Sequence, residues 1–262
     1  MRNSSLFWGA ILLTGGILLL FDNLGYLPVS AWYLIWPMIL IAIGIWLIWS
    51  YYSSSSMKVE HAEILLENAT RGLVKIQHAA GRISLSSTEQ SEILLTGDFK
   101  GGVVKKVIRS DEFVEIKLSM PSNDFFVNWS PGYTLDWKVG LNPNIPLTLN
   151  LETGAGDLQL DLSNLKISEF GYKSGASSTK ITMPSKAGFT LAHLETGAST
   201  TIIQIPEGVA AKIKAQGGLS AINIDKTRFP RQDKFYISPG YDTAENKLEL
   251  LVDIGVGAIE VK

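Results

Sequence analysis

The sequence predicts a membrane-anchored, all-β protein in which a two-helix transmembrane hairpin precedes a parallel β-helix (β-solenoid) with coils of about 21 residues. Three observations support this. The first 56 residues contain two long apolar segments with almost no charge. The later segments alternate between apolar and polar residues with a period of two, as half-buried strands do. A glycine-centred motif also recurs at nearly constant spacing.

The hairpin is predicted for residues 1–52, with spans at about 5–21 and 31–50. At about 1.5 Å per residue, an apolar helix from Ala31 to Trp49 is roughly 28 Å long, close to the thickness of the hydrocarbon core. A helix is the only single segment that satisfies its own backbone there. The alternative is a secretory signal peptide, but no small-x-small cleavage motif follows the first apolar segment.

The distribution of basic residues predicts the orientation of this hairpin. Arg2 precedes the first span, and Lys58, Arg71 and Lys75 follow the second, whereas the loop 22–30 contains no lysine or arginine. Cytoplasmic flanks carry the excess of basic residues. We therefore expect a multi-pass protein of the cytoplasmic membrane whose large C-terminal domain faces the cytoplasm.

After a polar linker at 53–56, residues 57–262 are predicted to form the β domain. Its first part consists of hairpin-like strands at 72–87, 92–110 and 112–120, followed by a connection at 121–146 that is rich in proline, glycine and asparagine. The segment 97–106 is glycine-rich and basic but lacks the phosphate-binding pattern, so a turn explains it.

A repeat occupies the second part of this domain. Its anchor glycines are spaced by 21, 22, 21 and 37 residues, and the long interval contains an insertion at about 226–243. The anchors are Gly154, Gly175, Gly197, Gly218 and Gly255. A unit of this length is too short for a βαβ crossover but long enough for one solenoid coil. We expect these glycines at corners, where a positive φ or close stacking excludes a Cβ.

Aliphatic residues, replaced twice by threonine, recur four and six positions after each anchor. They are Leu158 and Leu160, Thr179 and Ile181, Thr201 and Ile203, Ile222 and Ile224, and Ile259 and Val261. Alternate residues of a strand share a face, so these positions should line one interior. Hydroxyl side chains should stack beside the anchors, namely Ser177, Ser178, Ser199, Thr200 and Ser220. An ordinary β-sandwich with glycine turns at similar intervals is the alternative.

Composition excludes several functional classes. The net charge of −2 argues against general binding to nucleic acid, and the absence of cysteine excludes disulfides, thiol catalysis, iron–sulfur clusters and sulfur-ligated zinc. The three histidines (His61, His78 and His193) match no metal-binding spacing and are interpreted as surface or strand residues.

No catalytic chemistry is apparent in the sequence. No serine lies in a nucleophile-elbow motif. Glu152 and Glu195 recur in the repeated LETGA segment, where stacked carboxylates could act as an acid/base pair or bind a cation. The same recurrence is expected from an outward-facing acidic position of the repeat, and this is the interpretation that we favour. We therefore predict no catalytic, cofactor-binding or metal-binding residues, and no enzyme.

The chain resembles the LiaF-like family of bacterial membrane proteins, whose soluble part is called the toast-rack or cell-wall-active-antibiotics-response domain. The resemblance lies in the glycine-rich first span with its FDNLG turn, the Trp-Pro of the second span, and the segments GLVKIQHAAGRISLSS, EILLTGDF, LETGAGDLQLDL and DIGVGAIEVK. It implies a parallel β-helical domain at the cytoplasmic membrane and a role in sensing envelope stress, in which members restrain a sensor histidine kinase. Kinase-restraining members often have more spans than this hairpin.

Two functional classes follow. The first is a non-enzymatic regulatory protein that binds a sensor kinase or another membrane protein. The second is a structural or adhesin-like scaffold that self-associates at the membrane. The final segment 257–262 has no cap beyond Glu260 and Lys262, so a homo-oligomer fits either class.

Overall fold

The computed structural model describes residues 31–52, 59–121 and 135–262, together with a few isolated positions before residue 31. The helix α1 (Ala31–Tyr52) contains Pro37 and coincides with the second predicted span. The first span, the 22–30 turn and the 53–56 linker lie outside these ranges. Among the residues described, no helix combines the length and the apolarity that crossing a bilayer requires.

In the residues described, the β domain contains thirteen strands in one sheet. They are β1 (Val59–Leu65), β2 (Arg71–Ser87), β3 (Ile93–Lys100), β4 (Val104–Ser110), β5 (Phe113–Ser119), β6 (Asp136–Leu141), β7 (Leu147–Asp161), β8 (Ile167–Thr182), β9 (Phe189–Gln204), β10 (Val209–Ile224), β11 (Arg231–Gln232), β12 (Phe235–Ile237) and β13 (Asn246–Val261). A 3₁₀ helix at Tyr241–Thr243 precedes β13.

Six long strands form the parallel centre of the sheet, in the order β2, β7, β8, β9, β13, β10. The register is the one that the repeat predicts: Leu160 pairs with Ile181, which pairs with Ile203. Strands β1, β3 and β6 lie on the β2 side, where β3 pairs antiparallel with both β1 and β6. The predicted strand 92–110 is two strands, β3 and β4, with Gly101 and Gly102 at φ 91° and 86° in the expected turn.

The stacking order differs from chain order at the C-terminal end. Strand β13 lies between β9 and β10, so Val261 pairs with Ile203 on one side and with Ile224 on the other. The C-terminal strand is therefore an interior strand, and the suggestion that it ends the solenoid without a cap is wrong. The inserted residues 225–245 allow the chain to return and enter between β9 and β10, two strands that are consecutive in the sequence.

The interior row six positions after the anchors is confirmed. Leu160, Ile181, Ile203 and Ile224 are at most 4% exposed, and all belong to the same hydrophobic cluster. The first halves of the strands contribute to that cluster with Leu149, Phe170 and Leu250. Both halves of each long strand thus bury side chains in one core.

The anchor glycines are required by close stacking. A Cβ on Gly175 would lie 2.5 Å from the carbonyl oxygen of Gly154, and one on Gly197 would lie 2.6 Å from that of Gly175. Positive φ occurs two residues later, at Gly156 (152°) and Gly257 (128°). The strands bend at this level and require glycine there for two reasons. Close stacking excludes a Cβ at the anchors, and a positive φ favours glycine two residues later.

The hydroxyl groups at the bend are hydrogen-bonded mainly within their own strand. The Tyr172 hydroxyl lies 2.7 Å from Thr179 Oγ1, and Ser177 Oγ lies 3.0 Å from Ser174 Oγ. Ser177 and Ser199 are neighbours in register, as predicted. Ser220 is separated from Ser199 by Gly257, because β13 lies between their strands.

Candidate functional site

An open groove of about 1280 Å³ crosses the bends of the parallel strands. Its most polar part is a row of side chains two positions before the anchors, one from each strand. In spatial order, this polar row consists of Gln77, Glu152, Lys173, Glu195, Asp253 and Gln216. The anchor glycines of β7, β8, β9, β13 and β10 also line the groove and leave backbone exposed along it.

Neighbouring side chains of the polar row contact each other. Lys173 Nζ lies 2.8 Å from Glu195 Oε2, and Gln77 Nε2 donates to Glu152 Oε2 at 3.0 Å. Gln216 Nε2 donates to Asp253 Oδ1 at 3.2 Å. His193, on the outer face of β9, has its Nε2 3.3 Å from Asp253 Oδ2 and 3.5 Å from Glu195 Oε1. The row thus consists of three contacting pairs, and His193 links the last two of them.

The two glutamates of the repeated LETGA segment do not lie side by side. Lys173 is paired in register with both Glu152 and Glu195 and separates them. The hypothesis of two carboxylates stacked in adjacent coils is therefore wrong, because the intervening coil places a lysine at the same position. The structure favours the alternative interpretation, in which Glu152 and Glu195 occupy an outward-facing position of the repeat.

The ion pair at the centre of the row keeps both partners charged. The hydrogen bond from Lys173 lowers the pKa of Glu195, and the same hydrogen bond raises the pKa of Lys173. The Glu152 carboxylate adds a smaller effect in the same direction on the Lys173 pKa. Charged side chains of this kind bind ligands by electrostatic attraction, whereas proton transfer needs a group that titrates near neutral pH.

Two buried polar side chains lie beneath the β2–β7 end of the groove. His78 is 3% exposed and packs edge-on against Trp137, with ring centroids 4.8 Å apart. Within the described part of the chain, neither ring nitrogen of His78 nor Thr153 Oγ1 has a hydrogen-bond partner at standard geometry. Burial lowers the pKa of His78 to about 4, although the Leu135 backbone and the Asp136 carboxylate oppose this shift. His78 is therefore neutral at physiological pH.

The other two histidines lie on exposed strand surfaces, as predicted. His61 contacts Asp98 at 2.8 Å and Glu63 at 3.2 Å, and the hydrogen bond to Asp98 is the main reason that its pKa is raised. No cluster of three or more His, Asp or Glu side chains with metal-binding geometry occurs in the residues described.

Two protein-family models together match most of the chain. Residues 53–204 match the family model described as the N-terminal domain of toast_rack, DUF2154, and residues 6–48 match the LiaI-LiaF-like transmembrane region. The chain belongs to the toast-rack family. The resemblance found in the sequence is thereby confirmed, and the matched transmembrane region indicates association with a lipid bilayer. No curated protein matches the chain significantly.

One solved structure shares the fold of this chain. A candidate cell adhesion protein from Clostridium sporogenes superimposes with a TM-score of 0.71 and 24% identity, over 78% of this chain and 98% of that one. A candidate adhesin from Bacteroides fragilis has a TM-score of 0.31 and 12% identity, over 78% of this chain and 97% of that one. The first likeness establishes the fold.

Sequence reasoning found the glycines of the groove and two members of its polar row, Glu152 and Glu195, but did not recognise the row as a whole. The signal was present, because every residue of the row stands two positions before an anchor or its equivalent, Ala79. It went unrecognised because the residue type changes from coil to coil, whereas the interior positions keep an apolar side chain.

Proposed function

We propose that this toast-rack protein is a non-enzymatic, membrane-anchored regulator whose β domain binds an extended segment of a partner along the groove. We further propose that the partner is a membrane sensor histidine kinase of the envelope-stress response, as the family resemblance implies. The observation that carries the proposal is the polar row, which presents one side chain per strand at regular spacing above a floor of glycine backbone.

The dimensions of the groove support an extended ligand. Six parallel strands about 4.8 Å apart give a row roughly 24 Å long, the length of about seven residues of extended peptide. The missing Cβ atoms at the anchors allow a ligand backbone to approach the backbone of the protein. An extended peptide has donors and acceptors that can pair with both the amide and the charged side chains of the row.

The charges of the row support a basic segment. Glu152, Glu195 and Asp253 carry three negative charges, and Lys173 carries one positive charge. Within the part of the chain that the structure describes, Glu152 and Asp253 receive only amide or histidine contacts at hydrogen-bond distance. A lysine or arginine of the partner would complete their pairing. Charge complementarity of this kind sets the specificity and the association rate of a complex more than its affinity.

Charge reversal inside the groove tests the binding site. Glu152→Lys should reduce the amount of kinase that is cross-linked to the chain in membranes, with and without a wall-active antibiotic. The matched control is Glu169→Lys, an exposed glutamate of β8 outside the groove. Equal cross-linking of the two variants would show that the groove does not bind the partner.

The orientation of the chain tests the regulatory role separately. We propose that residues 57–262 face the cytoplasm, supported by the basic residues Arg2, Lys58, Arg71 and Lys75 on the two flanks and their absence from 22–30. A reporter enzyme that is active only outside the membrane, fused after Lys262, should then be silent. Strong activity would place the domain outside and favour an adhesin-like scaffold.

A further inference from the structure

We propose that the free edge of β10, residues 215–224, is a self-association surface that pairs antiparallel with the same edge of a second copy of this chain. This surface is separate from the proposed partner-binding role of the groove. In the described ranges, β10 pairs along its length with β13 on one side, and β12 covers only Lys212 and Ile213 on the other. The second half of β10 thus presents unpaired backbone groups.

This edge has none of the usual protection against pairing. Residues 215–224 (AQGGLSAINI) contain no charged side chain. The other long edges are charged: β1 has Glu60 and Glu63, and β4 has Lys105 and Lys106. Charged residues on an edge strand prevent pairing with another chain, so the first half of the sheet is protected and the β10 end is open.

Apolar side chains on both faces of this edge are incompletely covered. Leu219 is 82% exposed and lies beside Val256 of β13, which is 52% exposed. On the opposite face, Ile222 belongs to the interior row with Ile259, yet it is 37% exposed whereas Ile259 is 1% exposed. A further strand would cover Leu219 on one face and Ile222 on the other.

A second copy fits this edge better than a continued stack of copies. Stacking head to tail would bring the neutral edge of β10 against the charged edges of β1 or β4. Two β10 edges related by a two-fold axis bring neutral residues against neutral residues, with no like charges opposed. An antiparallel two-fold pair is also closed, so the assembly stops at a dimer.

The absence of cysteine from the chain makes the test direct. Single cysteines are introduced one at a time at positions 217–223 of the full chain, and disulfide-linked dimers are measured in membranes under mild oxidation. Because only residues near a two-fold axis face their own copies at the Cβ distance that a disulfide needs, cross-linking should peak at one or two positions. The variants Glu63→Cys and Lys106→Cys, on the charged edges, are the controls and should not cross-link.

A charge on the edge provides the second measurement. Leu219→Lys places a positive charge on each of the two apposed edges and should weaken dimerisation of the detergent-solubilised full chain by at least roughly tenfold. Because Leu219 is largely exposed, the variant should keep its circular dichroism spectrum, and Thr200→Lys, at an exposed position of a fully paired strand, should leave dimerisation unchanged. A monomeric wild-type chain, uniform cross-linking along 217–223, or linkage to a different protein in place of a second copy would overturn the proposal.

Discussion

Shortening Ile203 to alanine tests the register on which the β domain is built. Ile203 is fully buried, and its register neighbours Ile181 and Val261 are at most 1% exposed. The adjacent Ile202 lies on the other face of β9, partly exposed between Lys180 and Glu260. Since a shift of one residue exchanges the two faces of a strand, these two isoleucines should respond very differently to the same substitution.

The expected loss follows from the packing around each side chain. Truncating a buried isoleucine costs about 2–5 kcal/mol, depending on how far the surrounding structure can close the cavity. Because Ile203 is held between two hydrogen-bonded strands, little closure is available, and we expect about 4 kcal/mol for Ile203→Ala. Ile202→Ala should cost roughly 1 kcal/mol or less, mainly through its lower strand propensity.

The assay is thermal and urea unfolding of the full chain, followed by the circular dichroism of its β-structure. At about 2–4 °C per kcal/mol for a domain of this size, Ile203→Ala should lower the midpoint by roughly 8–16 °C and Ile202→Ala by only a few degrees. Equal losses for the two variants, or a larger loss for Ile202→Ala, would refute the register and the interior row derived from it.

Two further predictions concern the bend and the buried histidine. Gly197→Ala should destabilise the domain by roughly 1–3 kcal/mol, since its Cβ would lie 2.6 Å from the Gly175 carbonyl oxygen. The control, Thr200→Ala at a nearby exposed position, should have little effect. Urea unfolding of the two variants compares these losses. The His78 pKa of about 4 lies below its ordinary value of 6.5, so its contribution to stability is complete above that value and is lost as the pH falls through 4. Wild type should therefore lose roughly 2 kcal/mol more than His78→Phe between pH 7 and pH 5, measured by urea unfolding at both pH values, and parallel pH profiles would exclude this role for His78.

The repeat alone determined most of the parallel centre of the sheet. Alternation with a period of two identifies strands, and the spacing of 21 and 22 residues predicts that Leu160, Ile181 and Ile203 lie in one row. The anchor glycines follow from the same pattern, because parallel strands that bend at one level bring backbone against backbone there. These features depend only on local periodicity, so the sequence suffices to predict them.

The order of the last two strands was decided by the tertiary structure. Strands β10 and β13 have the same apolar positions after their anchor glycines, so either could follow β9. The insertion between them gives the chain enough length to place β13 inside and leave β10 at the edge. The length of the loop permits β13 to take the inner position, and side-chain packing selects that order. A periodic sequence pattern records neither the path of the loop nor the packing.

The site depended on the tertiary structure for a related reason. Lys173 lies between Glu152 and Glu195, and Asp253 lies beside Glu195, only because of the order in which the strands stack. His78 is buried because Trp137, distant in sequence, packs against its ring. The sequence determined which residues lie at the same level of the coil. Which of them stand side by side at that level depended on contacts between strands far apart in the chain, and so did their electrostatic environment and pKa values.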